Sequence, residues 1–285
     1  MIGMSTPQAD FYRQNGYLVV PDLFTAAEIQ ELKAETTRIF RGQRGPVEGL
    51  LEVTSEMTDA EVLRKYLAIH FPHKLSSTIE RSLSHPGIVE VLTHIIGPNV
   101  KCMQSMLFVK GPGKPGQSWH QDEYYIPTRD RSLGAAWIAI DDATIENGCL
   151  WIIPGSHQSG TILRRIPGRN PEFAEADTLD ISGYGENRSV PVEVKAGSVV
   201  FFHGYVLHSS RRNKTPGCFR MALVNHYMSA ESLLPWRQDG KLPPTDDLRD
   251  IVLVAGTDPY AWKGIVNANK PYLRAEVPVA RIDGS

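Results

Sequence analysis

The sequence predicts a mostly β protein with flanking helices, a sandwich or a jelly roll. Three observations carry this prediction. From about residue 100, short β-rich segments alternate with turn signals. No helical pattern recurs regularly between them, which argues against a doubly wound parallel sheet. The first hundred residues, by contrast, read as mostly helical.

Taken in order, Tyr17-Leu18-Val19-Val20 reads as a short strand. Thr25 and Glu28 have the spacing of a capping box, and behind them Ile29, Leu32, Thr36 and Ile39 or Phe40 fall on one helical face. A second helix is expected at 85–96, where Ile88, Val91, Leu92, Ile95 and Ile96 are periodic and Gly97-Pro98 is a stop. The expected strands are 103–110, 135–141, 149–153, 191–202 and 218–228. Gly111-Pro112-Gly113, Asn147-Gly148 and Pro154-Gly155 lie between them and Ala196-Gly197-Ser198 within 191–202, all with turn chemistry. The stretch 155–190 reads as a long excursion of the kind that forms lids. One domain is expected, with a helical part at about 1–98, a β core at about 99–230 and a C-terminal extension at 231–285 that wraps the core.

Apolar residues make up 41% of the 285, enough to fill a substantial core, and the formal net charge of −2 gives no basic excess for nucleic acid or a membrane surface. No apolar run approaches the roughly 20 residues that span a bilayer. Cys102, Cys149 and Cys218 are odd in number and form no C-x-x-C pair, so a reducing compartment is expected. With no apolar signal-peptide core at the N-terminus, the simplest expectation is a cytoplasmic protein.

The chemistry points to Trp119-His120-Gln121-Asp122. In a strand, residues i and i+2 share a face, so His120 and Asp122 could hold one ion from one side. Two histidines and a carboxylate leave three positions open, the pattern of non-haem Fe(II) oxygenases. The third ligand is expected near 200–210, where His203 and His208 both qualify. His208 is preferred because Arg220 follows twelve residues later on a strand. A keto acid that chelates iron needs a cation for its distal carboxylate, and arginine binds carboxylates with a two-pronged fork. Taken singly, each residue has a plainer reading. His203 reads as a core histidine, His157 as a turn residue, and Arg220 as a surface charge. A structural zinc site competes, although such sites usually close with four Cys or His ligands.

The stretches FYRQNGYLVVPDLF (11–24), MLFVK (106–110), WHQD (119–122), AWIAIDDATIENGCLWIIPGSH (136–157) and FFHGYVLHSS (201–210) together resemble the phytanoyl-CoA dioxygenase family over roughly 11–230. The resemblance implies a double-stranded β-helix, a cupin-like jelly roll. It implies an Fe(II)- and 2-oxoglutarate-dependent dioxygenase that consumes O2 and releases succinate and CO2 while hydroxylating a small molecule; desaturation or ring closure could follow the same first step. By the resemblance, His120, Asp122 and His208 are the ligands. Arg220 takes the distal carboxylate with Ser210 beside it, and Lys110, Gln121 and Trp137 line the co-substrate pocket. One residue more than expected separates His208 from Arg220, which keeps Arg211 and Arg212 as weaker candidates for the carboxylate. Gln104 and Tyr124 are the expected substrate contacts, and Arg164, Arg165 and Arg169 in the excursion are candidates to meet an anionic substrate. The alternative is a catalytically silent jelly-roll binding protein that keeps a metal.

Overall fold

The computed structural model describes residues 4–168, 170–235 and 247–275. The helices are α1 (Thr6–Asn15), α2 (Ala26–Phe40), α3 (Asp59–Arg64), α4 (Ser77–Leu83), α5 (Pro86–Ile95) and α6 (Asp122–Tyr125). The strands are β1 (Tyr17–Val20), β2 (Tyr66–His70), β3 (Val100–Lys110), β4 (Gly134–Ala139), β5 (Leu150–Ile152), β6 (Arg165–Pro167), β7 (Asp177–Leu179), β8 (Val190–Val192), β9 (Val199–His203), β10 (His208–Ser210), β11 (Arg220–Ser229), β12 (Val252–Ala255) and β13 (Tyr272–Ala275).

Local chemistry explains the helical part. The Thr25 hydroxyl and Glu28 carboxylate cap α2 reciprocally, as the spacing predicts, and Ile29, Leu32, Thr36, Ile39 and Phe40 are its buried face. Pro86 starts α5, and Gly97, with φ +140°, follows its end.

The strands form a jelly roll. The large sheet has the antiparallel order β1-β9-β4-β11-β3-β2-β13, with β12 also on β3. A small sheet, β10-β5-β8, faces it. Period-two alternation sorts the large sheet's side chains. Ala136, Ile138, Val199, Phe201, Met221 and Leu223 pack under the helices, while Ala135, Trp137, Val200, Phe202, Ala222 and Val224 pack against the small sheet. The space between the two sheets is therefore set by β3, β4, β9 and β11.

Three expectations change. The stretch 191–202 is not one strand: it divides into β8 and β9, in different sheets, because the chain reverses at Gly197. There φ is +92° and a Cβ would lie 2.6 Å from the Phe24 carbonyl oxygen, so only glycine fits. The helical first hundred residues also contain β2, which pairs with β3. The excursion 155–190 carries the β6–β7 hairpin and two 3-10 turns in place of plain loop. At the C-terminal end, β12 and β13 join the large sheet through β3 and β2. Among the described residues no helix is long and apolar enough to cross a membrane.

Candidate metal centre

Residues 118–121 run alongside β10, and His120 and His208 exchange both backbone hydrogen bonds, at 3.0 and 3.1 Å. Asp122 then opens α6, which turns the chain away. The extended stretch before the turn puts His120 and Asp122 on one side and Gln121 on the other. His120 Nε2 lies 3.7 Å from Asp122 Oδ1, and His208 Nε2 lies 3.6 Å from the same oxygen. Donor atoms of the three residues all fall within 4.8 Å of one another.

The other nitrogens of the two imidazoles explain this aim. His120 Nδ1 donates to the Ser118 carbonyl at 2.7 Å, and His208 Nδ1 to the Val206 carbonyl at 3.1 Å. Each bond fixes the tautomer that leaves an Nε2 lone pair facing Asp122, as metal-binding histidines require. Burial, and then His208 alongside, pushes the pKa of His120 down to about 4, so the ring is neutral at physiological pH. Burial pulls the Asp122 carboxyl upward, but His208, His226 and His120 outweigh it, and the group stays ionised well below the usual carboxylate range. Two imidazoles and one carboxylate, all buried and with a shared focus, fit an Fe(II) ion.

A second set of charges lies next to this focus. Arg220 and Lys110 are paired residues across the β3–β11 ladder, and both are buried. The Lys110 ammonium donates to Ser210 Oγ at 2.9 Å and to the carbonyls of Arg211 at 2.6 Å and Gly148 at 3.3 Å. Gly148 has φ +85°, and a Cβ there would come within 2.9 Å of that ammonium, so the Asn147-Gly148 turn shapes the cradle. The Arg220 guanidinium stands over the Trp137 ring, 5.5 Å from its centroid, and its Nε has no hydrogen-bond partner. Burial, and then the Arg220 charge, pushes Lys110 well below its ordinary value; burial likewise lowers Arg220 to about 10. Neither cation has an acidic partner within salt-bridge range among the described residues. Two desolvated cations without an anion fit a carboxylate that arrives from outside.

His120, Asp122, His208, Arg220, Lys110, Ser210, Trp137 and Gln104 all line one cavity of about 490 Å3. Two expected residues do not. The Gln121 amide faces away: it donates to the Thr161 and Tyr205 carbonyls and accepts from Leu163 N, which ties the excursion to the core. Tyr124 is 48% exposed, because α6 replaces strand geometry after Asp122; Tyr125 lines the cavity instead. Of the weaker arginine candidates, Arg211 stacks on Trp151 and Arg212 bonds the Gly113 and Pro171 carbonyls, so neither reaches the carboxylate site. His203 accepts from Tyr205 N and faces His157, off the cavity. Arg164 pairs with Asp180 and Arg165 bonds the Tyr125 hydroxyl, while Arg169 lies outside the described residues. Sequence reasoning missed His226, which bonds Asp122, and His70, Tyr272 and Arg274 on β2 and β13.

The family model for phytanoyl-CoA dioxygenase matches residues 12–222. The chain belongs to the phytanoyl-CoA dioxygenase family. Human peroxisomal phytanoyl-CoA dioxygenase is 31% identical over 241 residues, covering 80% of this chain and 69% of that protein. Phytanoyl-CoA dioxygenase domain-containing protein 1 of Rattus norvegicus is 37% identical over 175 residues, 59% of this chain and 58% of that protein. Among solved structures, the non-haem α-ketoglutarate-dependent carbocyclase SnoK from nogalamycin biosynthesis is 25% identical with a TM-score of 0.66, covering 88% of this chain and 96% of that one. Iron-bound EctD from S. alaskensis, 23% identical over 81% of this chain and 78% of that one, shares the fold at a TM-score of 0.60. Members of the family are non-haem iron, 2-oxoglutarate-dependent oxygenases with a jelly-roll fold, and this chain is one of them.

Proposed function

We propose that the protein hydroxylates a small molecule at an unactivated C–H bond, with 2-oxoglutarate and O2 as co-substrates and succinate and CO2 as co-products. In this reading His120, Asp122 and His208 hold Fe(II). Arg220 grips the distal carboxylate of 2-oxoglutarate through its fork, Ser210 and Lys110 add hydrogen-bond donors beside it, and Trp137 walls the co-substrate off from the core. Bound iron supplies the oxygen chemistry; the chain supplies orientation, charge and exclusion of water. The supporting observation is the juxtaposition of two unlike elements in one cavity: a three-donor focus within 4.8 Å, and two buried cations on neighbouring strands without an acidic partner among the described residues. The cavity is within the usual size range of small-molecule sites and exceeds what a five-carbon diacid fills. The remaining wall, with Gln104, Met106, Tyr125, His70, Tyr272 and Arg274, is where we place the substrate. A cytoplasmic location agrees with three cysteines that form no disulfide.

The test is succinate formation from 2-oxoglutarate in the presence of Fe(II) and O2, first uncoupled and then with panels of small molecules that stimulate it. Replacing His120, Asp122 or His208 by Ala is expected to abolish the signal. Turnover at the wild-type rate in all three variants overturns the reading.

A further inference from the structure

His226 belongs to no spacing motif, yet it touches the proposed ligand set. It lies on β11, six residues past Arg220, and shares the inward face with Arg220, Ala222 and Val224. Its ladder partners are Gln104 on β3 and the small Ala135 on β4, which leaves space for the ring to reach across the cavity. His226 Nε2 lies 3.2 Å from Asp122 Oδ2. His120 and His208, in contrast, approach Oδ1, at 3.7 and 3.6 Å. The two oxygens of one carboxylate therefore face different partners. His226 is 5% exposed, and it makes the only hydrogen bond to the Asp122 side chain among the described residues.

We propose that His226 is a positioning residue that restrains Asp122 to ligation through Oδ1 alone. The inference rests on the metal reading above. A carboxylate free to rotate about its terminal bond can bind a metal through one oxygen or two. With two histidines, a two-oxygen grip leaves too few positions on a six-coordinate ion for a chelating keto acid and O2 together. A donor fixed on Oδ2 from the far side opposes that rotation. It also supplies the hydrogen bond that an ionised, buried carboxylate oxygen needs when the metal takes only its partner. Because an ionised carboxylate oxygen only accepts, this hydrogen bond requires an N–H on His226 Nε2. Nδ1 makes no hydrogen bond among the described residues, so Oδ2 is the ring's one polar contact.

Side chains of different reach test this. Glutamine places its amide nitrogen near the position of imidazole Nε2 and can donate to Oδ2. Asparagine is polar but too short, and leucine cannot donate. The full-length protein and its His226→Gln, His226→Asn and His226→Leu variants are titrated with Fe(II) without oxygen, then with 2-oxoglutarate, and the visible charge-transfer absorption of the iron–keto acid complex is recorded. Thermal unfolding of the metal-free proteins establishes that each variant folds. The Asn and Leu variants are expected to bind Fe(II) about 10–100-fold more weakly, the usual effect of removing a hydrogen-bond partner of a ligating side chain. Their absorption band is expected to shift, and the Gln variant to recover most of both. If the Leu variant does not fold, the Gln–Asn comparison decides alone. Equal affinity and equal spectra for Gln, Asn and wild type overturn the proposal, as does an equal defect in Gln and Asn, which would mean packing and not a bond to Oδ2. Failure of the wild-type protein itself to bind Fe(II) overturns the metal reading, and this inference with it.

Discussion

Arg220 and Lys110 stand side by side with like charge, buried, and without a carboxylate between them among the described residues. Arg220→Met keeps the volume and removes the charge. It is expected to raise the KM for 2-oxoglutarate roughly 10–100-fold, the weight of a hydrogen bond to a charged group. Fe(II) affinity measured without the keto acid should stay unchanged. Arg220→Lys should recover only part, since a point charge does not reproduce the fork. Initial rates of succinate formation against 2-oxoglutarate concentration decide this, and an unchanged KM in the Met variant refutes the assignment. At this scale the sequence was most legible where spacing carried chemistry. His120 and Asp122 face one way because they are residues i and i+2 of an extended stretch, with Gln121 alone between them. The same rule, applied strictly, turns Gln121 outward, and its bonds to Thr161, Leu163 and Tyr205 follow. Tyr124 was misplaced because Asp122 opens a helical turn that ends the strand alternation. His226 was legible in principle, by even spacing from Arg220, but a histidine inside an apolar strand otherwise looks like core.

Helix α2 shows how separable fold and site are at the scale of elements. Its capping box, Thr25 with Glu28, and its buried face were both readable from local pattern, because those interactions lie within one turn or one helical face. Thr25→Ala removes the acceptor for Glu28 N and is expected to cost about 1 kcal/mol of stability. The helix packs on the outer face of the large sheet, away from the cavity, so Fe(II) and 2-oxoglutarate affinities should not change. Urea unfolding and ligand titration of the same samples check both halves, and loss of ligand affinity at constant stability contradicts this separation. Strand β2 was not readable in this way. Tyr66–His70 follows directly on α3, and its extended form is imposed by pairing with β3 and β13, partners distant in the chain. The division of 191–202 was signalled locally by the turn chemistry of Ala196-Gly197-Ser198; what no local pattern encodes is the Phe24 carbonyl packed over Gly197, which demands glycine there.

Placing a polar site between two apolar layers has a consequence for the molecule as a whole: it buries histidines. Burial as the first cause pushes His70 down to about 3, and His73, His120 and His203 to about 4, from 6.5. A depressed folded value means that the unfolded chain binds the proton more readily. The stability these neutral rings contribute is complete above pH 6.5 and is lost as pH falls toward 4. Glu123 acts in the opposite sense. Burial raises its carboxyl from 4.5 to about 7, so it adds stability as pH falls through 7 and loses it as pH rises. At 1.36 kcal/mol per pKa unit, each histidine gives up about 2 kcal/mol between pH 6.5 and 5, and Glu123 returns an amount of similar size. Four groups outweigh one, so the metal-free protein should lose several kcal/mol from pH 7 to 5. Carboxylates such as Glu35, held at about 2 by Arg44 and Ser76 despite burial, weaken only below that interval. Urea midpoints at half-unit pH steps measure the slope. His203→Gln, which leaves the proposed metal ligands in place, should flatten it by one histidine's share. A midpoint that is constant or rising from pH 7 to 5 would mean that these rings are not held neutral by the fold.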